Sequence, residues 1–422
     1  MVFQVSESIA RRARLLAGGI GVSVCLSTRA SIARKCYTHF VFPHAHHIVI
    51  DGRMILPNMT GVGRYLIGLC KGLNDLPGEE NIELWLQSGL PEEHSAWRLD
   101  HGRIRIRPIP AAHLSLRGQW ELPAALRRLH PDLLHYPHFD LPWLSPGRVV
   151  ATLYDLKYIA RPDFFPTSHW LRRWIIQSMT RNTLRRASRV IVPSQSTADD
   201  LVARLKAEQD KLTVIPLGVD ESYFIPIEPG AITQIRRHYG LEGPFVFFVG
   251  ERRPHKNLDG LLRTFDIFRH RAVSNYHLVI AGRAYPGYNR PEQFSQTLGL
   301  SGRVHFLDDI PDIDLIALYQ AADAFISLSL YEGFGLPVLE AMACGTPVVA
   351  SNVTSLPEVT GEAGLNVPPD DPEQAATALL QIIPGGEMRE ANIALGLERA
   401  RRFTWKRCAQ ETLQVYREAL GS

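Results

Sequence analysis

Ser327–Ser351, SLSLYEGFGLPVLEAMACGTPVVAS, is the stretch that decides how this chain folds. An apolar run ends near Ser327, a loop with Glu332, Gly333, Phe334 and Gly335 follows, and Pro337 opens a helix. Proline suits the first helical turn because the N–H it lacks would be unpaired there. Gly345 and Pro347 then stop the helix and return the chain to an apolar strand. A strand, a glycine-bearing loop, a helix N-terminus and a second strand form the unit of a parallel sheet whose loops gather anions.

Outward from this unit the alternation repeats. The predicted strands toward the N-terminus are His47–Asp51, Ile82–Leu86, Arg103–Arg107, Leu133–Tyr136, Val149–Leu153 and Arg189–Pro193. Those toward the C-terminus are Val246–Val249, His277–Ala281, Val304–Leu307, Ala324–Ser327 and Pro347–Ala350. Several are unbroken apolar runs, the pattern of parallel strands covered on both faces. The 422 residues exceed one ordinary core. The fold expected is α/β, with two Rossmann-like, doubly wound domains facing across a cleft. The expected divisions are an N-terminal extension over 1–46, a first domain over 47–217, a second over 218–400 and a C-terminal helix over 401–422 that crosses back. The boundary falls in the Pro- and Gly-rich stretch VIPLGVDESYFIPIEPG.

Composition narrows the class. A hydrophobic share of 45% with 21% charged residues is that of a globular protein, and a net charge of +3 gives no nucleic-acid footprint. The five scattered cysteines form no C-x-x-C pair, which argues for reduced thiols and a cytoplasmic setting. Residues 1–46 carry six basic residues against Glu7, and the uncharged run Leu15–Thr28 is short of the ~20 residues that span a bilayer. A targeting peptide and a disordered tail are both compatible with that segment.

Glu332 and Glu340 flank the loop and the helix start, where carboxylates can accept hydrogen bonds from sugar hydroxyls. Gly250-Glu-Arg-Arg-Pro-His-Lys-Asn257 follows the first strand of the second half and offers Arg252, Arg253 and Lys256. Cations there would favour an anion held at the carboxyl ends of the strands. Gly61 and Gly63, in Thr60–Tyr65, let the backbone approach a ligand. Tyr154-Asp155, His135 and His138 sit at strand ends facing the expected cleft. Asp312 and Asp314 form a D-x-D that invites a divalent metal but opens a helix. The helix Trp170–Ala187 sets Arg172, Arg173, Arg181, Arg185 and Arg186 beside Trp170, Trp174 and Met179, which reads as a basic surface helix or as a contact with anionic membrane.

The run E-G-F-G-L-P-x-L-E-A-M-A-x-G-x-P-V resembles the signature of the retaining GT-B glycosyltransferases of family 4. TGVGRY, WELP, PSQSTADDL, VIPLGVD, VGERRPHKN and SLPEV extend the resemblance from Ile48 to Leu420, closest in wording to the bacterial mannosyltransferase-like branch of polysaccharide assembly. The resemblance implies that Glu340 holds the ribose of the donor nucleotide and Glu332 the transferred sugar. Lys256 and Arg253, with Arg252, would neutralise the diphosphate, helped by the backbone of Gly333, Phe334, Gly335 and Leu336. Gly61 and Gly63 would border the phosphate. Related enzymes carry His where this chain has Tyr154, so its catalytic part is open. The implied donor is a nucleoside-diphosphate sugar, GDP-mannose before UDP-glucose or UDP-GlcNAc, used without metal or cofactor. The implied acceptor is a saccharide, free or lipid-linked, with peripheral contact at the inner membrane face. Two rivals remain at this point: a glycoside hydrolase using Glu332 and Glu340, and a non-catalytic nucleotide-sugar-binding protein.

Overall fold

The computed structural model describes residues 45–421 apart from 111, 114, 116 and 165–169, and the expectations for residues 1–44 lie outside it. Thirteen described strands form two all-parallel sheets. The first holds β1 (His47–Asp51), β2 (Asn81–Gln87), β3 (Ile104–Ile109), β4 (Leu133–Tyr136), β5 (Arg148–Thr152), β6 (Arg189–Val192) and β7 (Leu212–Val214), in the order β3-β2-β1-β4-β5-β6-β7. The second holds β8 (Phe245–Val249), β9 (His277–Ala281), β10 (Val304–Leu307), β11 (Ala324–Ser327), β12 (Val348–Ser351) and β13 (Leu365–Val367), in the order β10-β9-β8-β11-β12-β13. Each order reverses once, between β1 and β4 and between β8 and β11. Such reversals leave a crevice at the carboxyl ends of the strands.

The expected strands are all present, with ends shifted by up to two residues. Two more appear, β7 and β13, each three residues long and each at a sheet edge. β3 runs through Pro108, which an edge strand tolerates because one side of its ladder is unpaired. In β8, Phe245, Val246, Phe247 and Phe248 are all buried, as helices on both faces of the sheet require. Truncating Phe247 to alanine would cost about 3–5 kcal/mol.

The C-terminal helix, Trp405–Leu420, packs on the helix Gly61–Asn74 of the first sheet. A Cβ on Gly68 would come within 2.2 Å of the Trp405 indole, so only glycine admits the ring there. His135 fastens the same helix to the sheet. It is fully buried, with Nδ1 2.6 Å from the Tyr416 hydroxyl and Nε2 2.7 Å from Thr152 Oγ1. His135 is therefore a structural tie between β4, β5 and the last helix.

Burial pushes His135 down to about 3, so the folded protein keeps it neutral while the unfolded chain takes a proton near pH 6.5. Its contribution is fully present above that pH and is lost as pH falls from about 6.5 towards 3. Melting curves at pH 7 and pH 5 should show a larger fall in Tm for the wild type than for His135→Gln. Equal falls would remove His135 from the acid sensitivity.

Candidate functional site

The site lies at the switch point of the second sheet. The loop after β8 turns through Gly250–Asn257 and ends in a one-turn helix, Pro254–Lys256. Asn257 then adopts φ 54° and caps the helix Leu258–Arg271, its side chain accepting from Gly260 N–H and donating to the Pro369 carbonyl at 2.7 Å. The loop after β11 is tied to the first by a hydrogen bond from Leu330 N–H to the His255 carbonyl. Ser355 Oγ donates to the carbonyls of Glu332 and Phe334, which fixes the glycine loop from below. Gly335 caps the helix Leu336–Ala343 with φ 108°, a conformation that a side chain would strain. Pro337 is in its first turn.

These two loops bring Lys256 and Glu332 together. Lys256 Nζ donates to Glu332 Oε1 at 2.5 Å, and the two side chains keep 14% and 17% exposure, so the pair faces the cleft without being solvated on all sides. Glu340 is buried on the helix behind. Its Oε2 accepts from the Tyr319 hydroxyl at 2.9 Å and its Oε1 from Arg64 Nη1 at 3.2 Å. Arg64 comes from the first sheet's helix and also reaches the Tyr223 hydroxyl at 2.7 Å and Asp312 Oδ1 at 2.6 Å. One guanidinium thus bridges the two sheets across Glu340, the acid to which the resemblance gives the ribose.

The remaining expected residues are placed as follows. Arg253 forks onto Glu251 at 2.7 and 3.0 Å and stacks over the Tyr285 ring at 4.4 Å. Arg252 is buried away from that group, paired with Glu292 and Asp308 and lying over Phe306. It ties the loop after β8 to the helix Arg290–Thr297 and to Asp308 just past β10. Gly61 and Gly63 open the helix that carries Arg64, capped by Thr60 Oγ1. Gly333 meets the first sheet's loops directly: a Cβ there would fall 1.8 Å from the Tyr154 carbonyl oxygen, and its own carbonyl accepts from Ser194 Oγ at 2.8 Å. Phe334 is buried, and Leu336 begins the helix.

Tyr154, whose catalytic part the resemblance leaves open, lies beside Asp155 and Lys157 at the cavity wall. Its ring packs edge-on against Tyr65 at 5.3 Å, and its hydroxyl is buried without a hydrogen-bond partner. The side chain follows the core between the first sheet and its helices, and no hydrogen bond carries the phenol to Lys256 or Glu332. Asp312 and Asp314 open the helix Asp312–Ala321 and are engaged by Arg64 and by the Tyr239 hydroxyl. His138 lies with His113 on Asp140, the one group of three metal-capable side chains among the described residues. Burial alone would raise Asp140, yet hydrogen bonds from His113 and His138 bring it well below the usual carboxylate range.

Sequence reasoning missed Lys157. It donates to Asp155 Oδ2 at 2.8 Å beside the same cleft. Burial would raise Asp155, but Lys157 and, further off, Lys256 hold it below its ordinary value. His255 is pushed far down, first by burial and then by the charges of Lys256, Lys157 and Arg253. Three cations therefore converge here, one of them from the first sheet. The only sequence signal was Asp155-x-Lys157 just past a strand end.

Further contacts close the sheets on each other. The Glu358 carboxylate accepts from the N–H groups of Gln195 and Ser196 at 2.7 and 2.8 Å, at the start of the helix Gln195–Leu205. A helix N-terminus carries partial positive charge and exposed donors, so this carboxylate is a favourable cap from the opposite unit. Tyr331 donates to Asp200 at 2.6 Å.

Residues 59–223 match the family described as Glycosyltransferase Family 4, and residues 232–396 match Glycosyl transferases group 1. O-antigen chain mannosyltransferase B of Escherichia coli is 30% identical over 373 residues, covering 85% of this chain and 96% of that protein. A D-inositol 3-phosphate glycosyltransferase of Salinispora tropica is 36% identical over 250 residues, covering 56% of this chain and 52% of that one. Among solved structures, sucrose-phosphate synthase of Thermosynechococcus elongatus superimposes with a TM-score of 0.70 at 24% identity, covering 89% of this chain and 99% of that one. Anabaena HepE, in complex with UDP and glucose, does so with a TM-score of 0.68 at 19% identity, covering 89% of this chain and 100% of that one. Two all-parallel α/β sheets with these structural neighbours define the GT-B fold. The chain belongs to the group 1 glycosyltransferases of family 4.

Proposed function

We propose that the protein moves a hexosyl group, mannose before glucose or GlcNAc, from a nucleoside diphosphate to a saccharide hydroxyl in polysaccharide or glycolipid assembly. The observation that carries this reading is the Lys256–Glu332 pair at 2.5 Å with Glu340 behind it, at the switch point of the second sheet. A diphosphate entering the cleft would draw Lys256 off Glu332 and leave that carboxylate to the sugar hydroxyls. Lys157 and Arg253 add positive potential on the same side, which stabilises the leaving group as its charge grows. Glu340 would take the ribose. Retention would follow from attack on the face the diphosphate leaves, with the departing phosphate oxygen accepting the acceptor proton, so no protein base is assigned. Because each carboxylate already has a cationic partner, the transferase reading is favoured over the hydrolase one, in which two carboxyls flank the scissile bond.

The mannosyl preference is supported by the similarity to O-antigen chain mannosyltransferase B, and the UDP alternative by the likeness to HepE with UDP and glucose. The acceptor is read as free or lipid-linked, and the setting as the cytoplasmic side of a membrane. No described helix is long and apolar enough to cross a membrane.

Thermal shift against GDP- and UDP-sugars tests the donor. A ligand at a hundred times its Kd stabilises by about 2.7 kcal/mol. GDP-mannose should raise Tm most, and this should persist in EDTA. A rise with UDP-sugars alone would overturn the mannosyl reading. Transfer that EDTA abolishes and magnesium restores would overturn the metal-free one.

A further inference from the structure

We propose that His113, His138 and Asp140 form a zinc site that staples the loop after β3 to the loop after β4. One ligand atom from each of the three lies within 4.8 Å of the other two. Their side chains are 4%, 13% and 1% exposed, so the group is held inside the protein rather than solvated at its surface. His138 Nδ1 stands 2.5 Å and His113 Nε2 3.4 Å from Asp140 Oδ1, and the two imidazole rings meet edge to face at 4.8 Å. The Tyr136 hydroxyl donates to the same oxygen at 3.1 Å. Three groups thus crowd one carboxylate oxygen, while His113 Nδ1 is buried with no hydrogen-bond partner. No protein group therefore fixes the His113 proton on either ring nitrogen, and Nε2 can present its lone pair to a metal.

The backbone on both sides of Asp140 is pinned. The Phe139 carbonyl accepts from Thr183 Oγ1 at 2.6 Å, Leu141 N–H donates to the same hydroxyl at 3.2 Å, and the Leu141 carbonyl accepts from Asn182 Nδ2 at 2.9 Å. Asn182 and Thr183 are themselves buried, and Gln119 Nε2 donates to the Asp140 carbonyl at 3.4 Å. Ligands held this way are positioned before the ion arrives. The donor set selects the ion. Two imidazoles and one carboxylate suit zinc, whereas calcium and magnesium take oxygen ligands. Tetrahedral zinc, with bonds of about 2.0–2.2 Å, sets neighbouring ligand atoms about 3.3 Å apart. The His113–Asp140 pair already has that separation, and the closer His138–Asp140 pair need only open. His138 also lines a cavity of about 190 Å³ shared with Thr152 and Asp155, which gives the ion a route in and leaves its fourth position to water. This ion is separate from the diphosphate site on the second sheet, and the proposal does not rest on the transferase reading.

Zinc chloride and cobalt chloride are the probes, added to the full chain after it has been stripped with a chelator and desalted. Elemental analysis after a second desalting should find about one zinc more per chain in the wild type than in His113→Gln or His138→Gln. Zinc affinity should fall by about a hundredfold or more in each variant. Cobalt should give the wild type the intense visible bands of a tetrahedral site, and both variants should lack them. Stripped of metal, the variants should melt near the stripped wild type, and only the wild type should gain Tm when zinc is added. Residues 1–44 are unchanged throughout, so any ion they hold cancels in the comparison. Wild-type zinc content in both variants would overturn the proposal. So would a wild type without the cobalt bands, which needs no variant to fold and would leave Asp140 as the acceptor of a purely hydrogen-bonded cluster.

Discussion

Lys256→Ala should lower kcat by about 10²–10³ and weaken the affinity for the free nucleoside diphosphate by about tenfold or more. The first figure follows from removing one preorganised donor from a site of developing negative charge, worth about 2.7–4 kcal/mol. The second follows because the ammonium would bind the diphosphate in the ground state as well, and truncating one partner of a hydrogen-bonded charge pair costs about 2–5 kcal/mol. Glu332→Gln should separate from it. Glu332 is assigned to the sugar, so turnover should fall sharply while GDP or UDP affinity stays near the wild-type value. Calorimetry with the nucleotide and initial rates with the sugar donor distinguish the two variants. A wild-type affinity in Lys256→Ala would remove this side chain from the diphosphate.

Gly333→Ala should abolish transfer, by about 10² or more, while leaving each sheet folded. The added methyl would sit 1.8 Å from the Tyr154 carbonyl oxygen, a backbone atom that no side-chain rotation can move. The two loops must then separate, and the hydrogen bonds from Ser194 and Thr197 to the Gly333 carbonyl go with them. A reacting geometry misplaced by about 1 Å can cost 10²-fold. Nucleotide binding depends on the second sheet and should survive. Wild-type kcat in this variant would mean that the closed contact is not part of the working enzyme.

Much of this arrangement was legible in the amino-acid sequence because its elements are local. The stretches over residues 245–258 and 324–336 carry an apolar run, a glycine loop and a helix start in order, and each signal lies within a few residues. The edge strands β7 and β13 were not legible, since three residues give too little periodicity to stand out. Arg252 and Arg253 are neighbours with the same chemistry. Only packing shows that Arg252 turns under the loop onto Glu292 and Asp308. Arg64 was legible only as a residue of the Thr60–Tyr65 loop, and Lys157 not at all. The Glu340 and Asp312 partners of Arg64, and the cation cluster that Lys157 joins, lie across the fold, and the spacing of residues along one sheet carries no information about the other. Tyr154 shows the converse, for a strand-end position predicts access to the cleft while the ring turns into the core against Tyr65.

The account stands on two carboxylates and a lysine receiving a nucleoside diphosphate at the second sheet's switch point. A crystal structure of the chain with GDP tests this most directly. The account predicts the diphosphate within hydrogen-bond distance of Lys256 Nζ and the backbone of Phe334–Leu336, with the ribose hydroxyls on Glu340. Nucleotide bound elsewhere, with Lys256 still closed on Glu332, would contradict it.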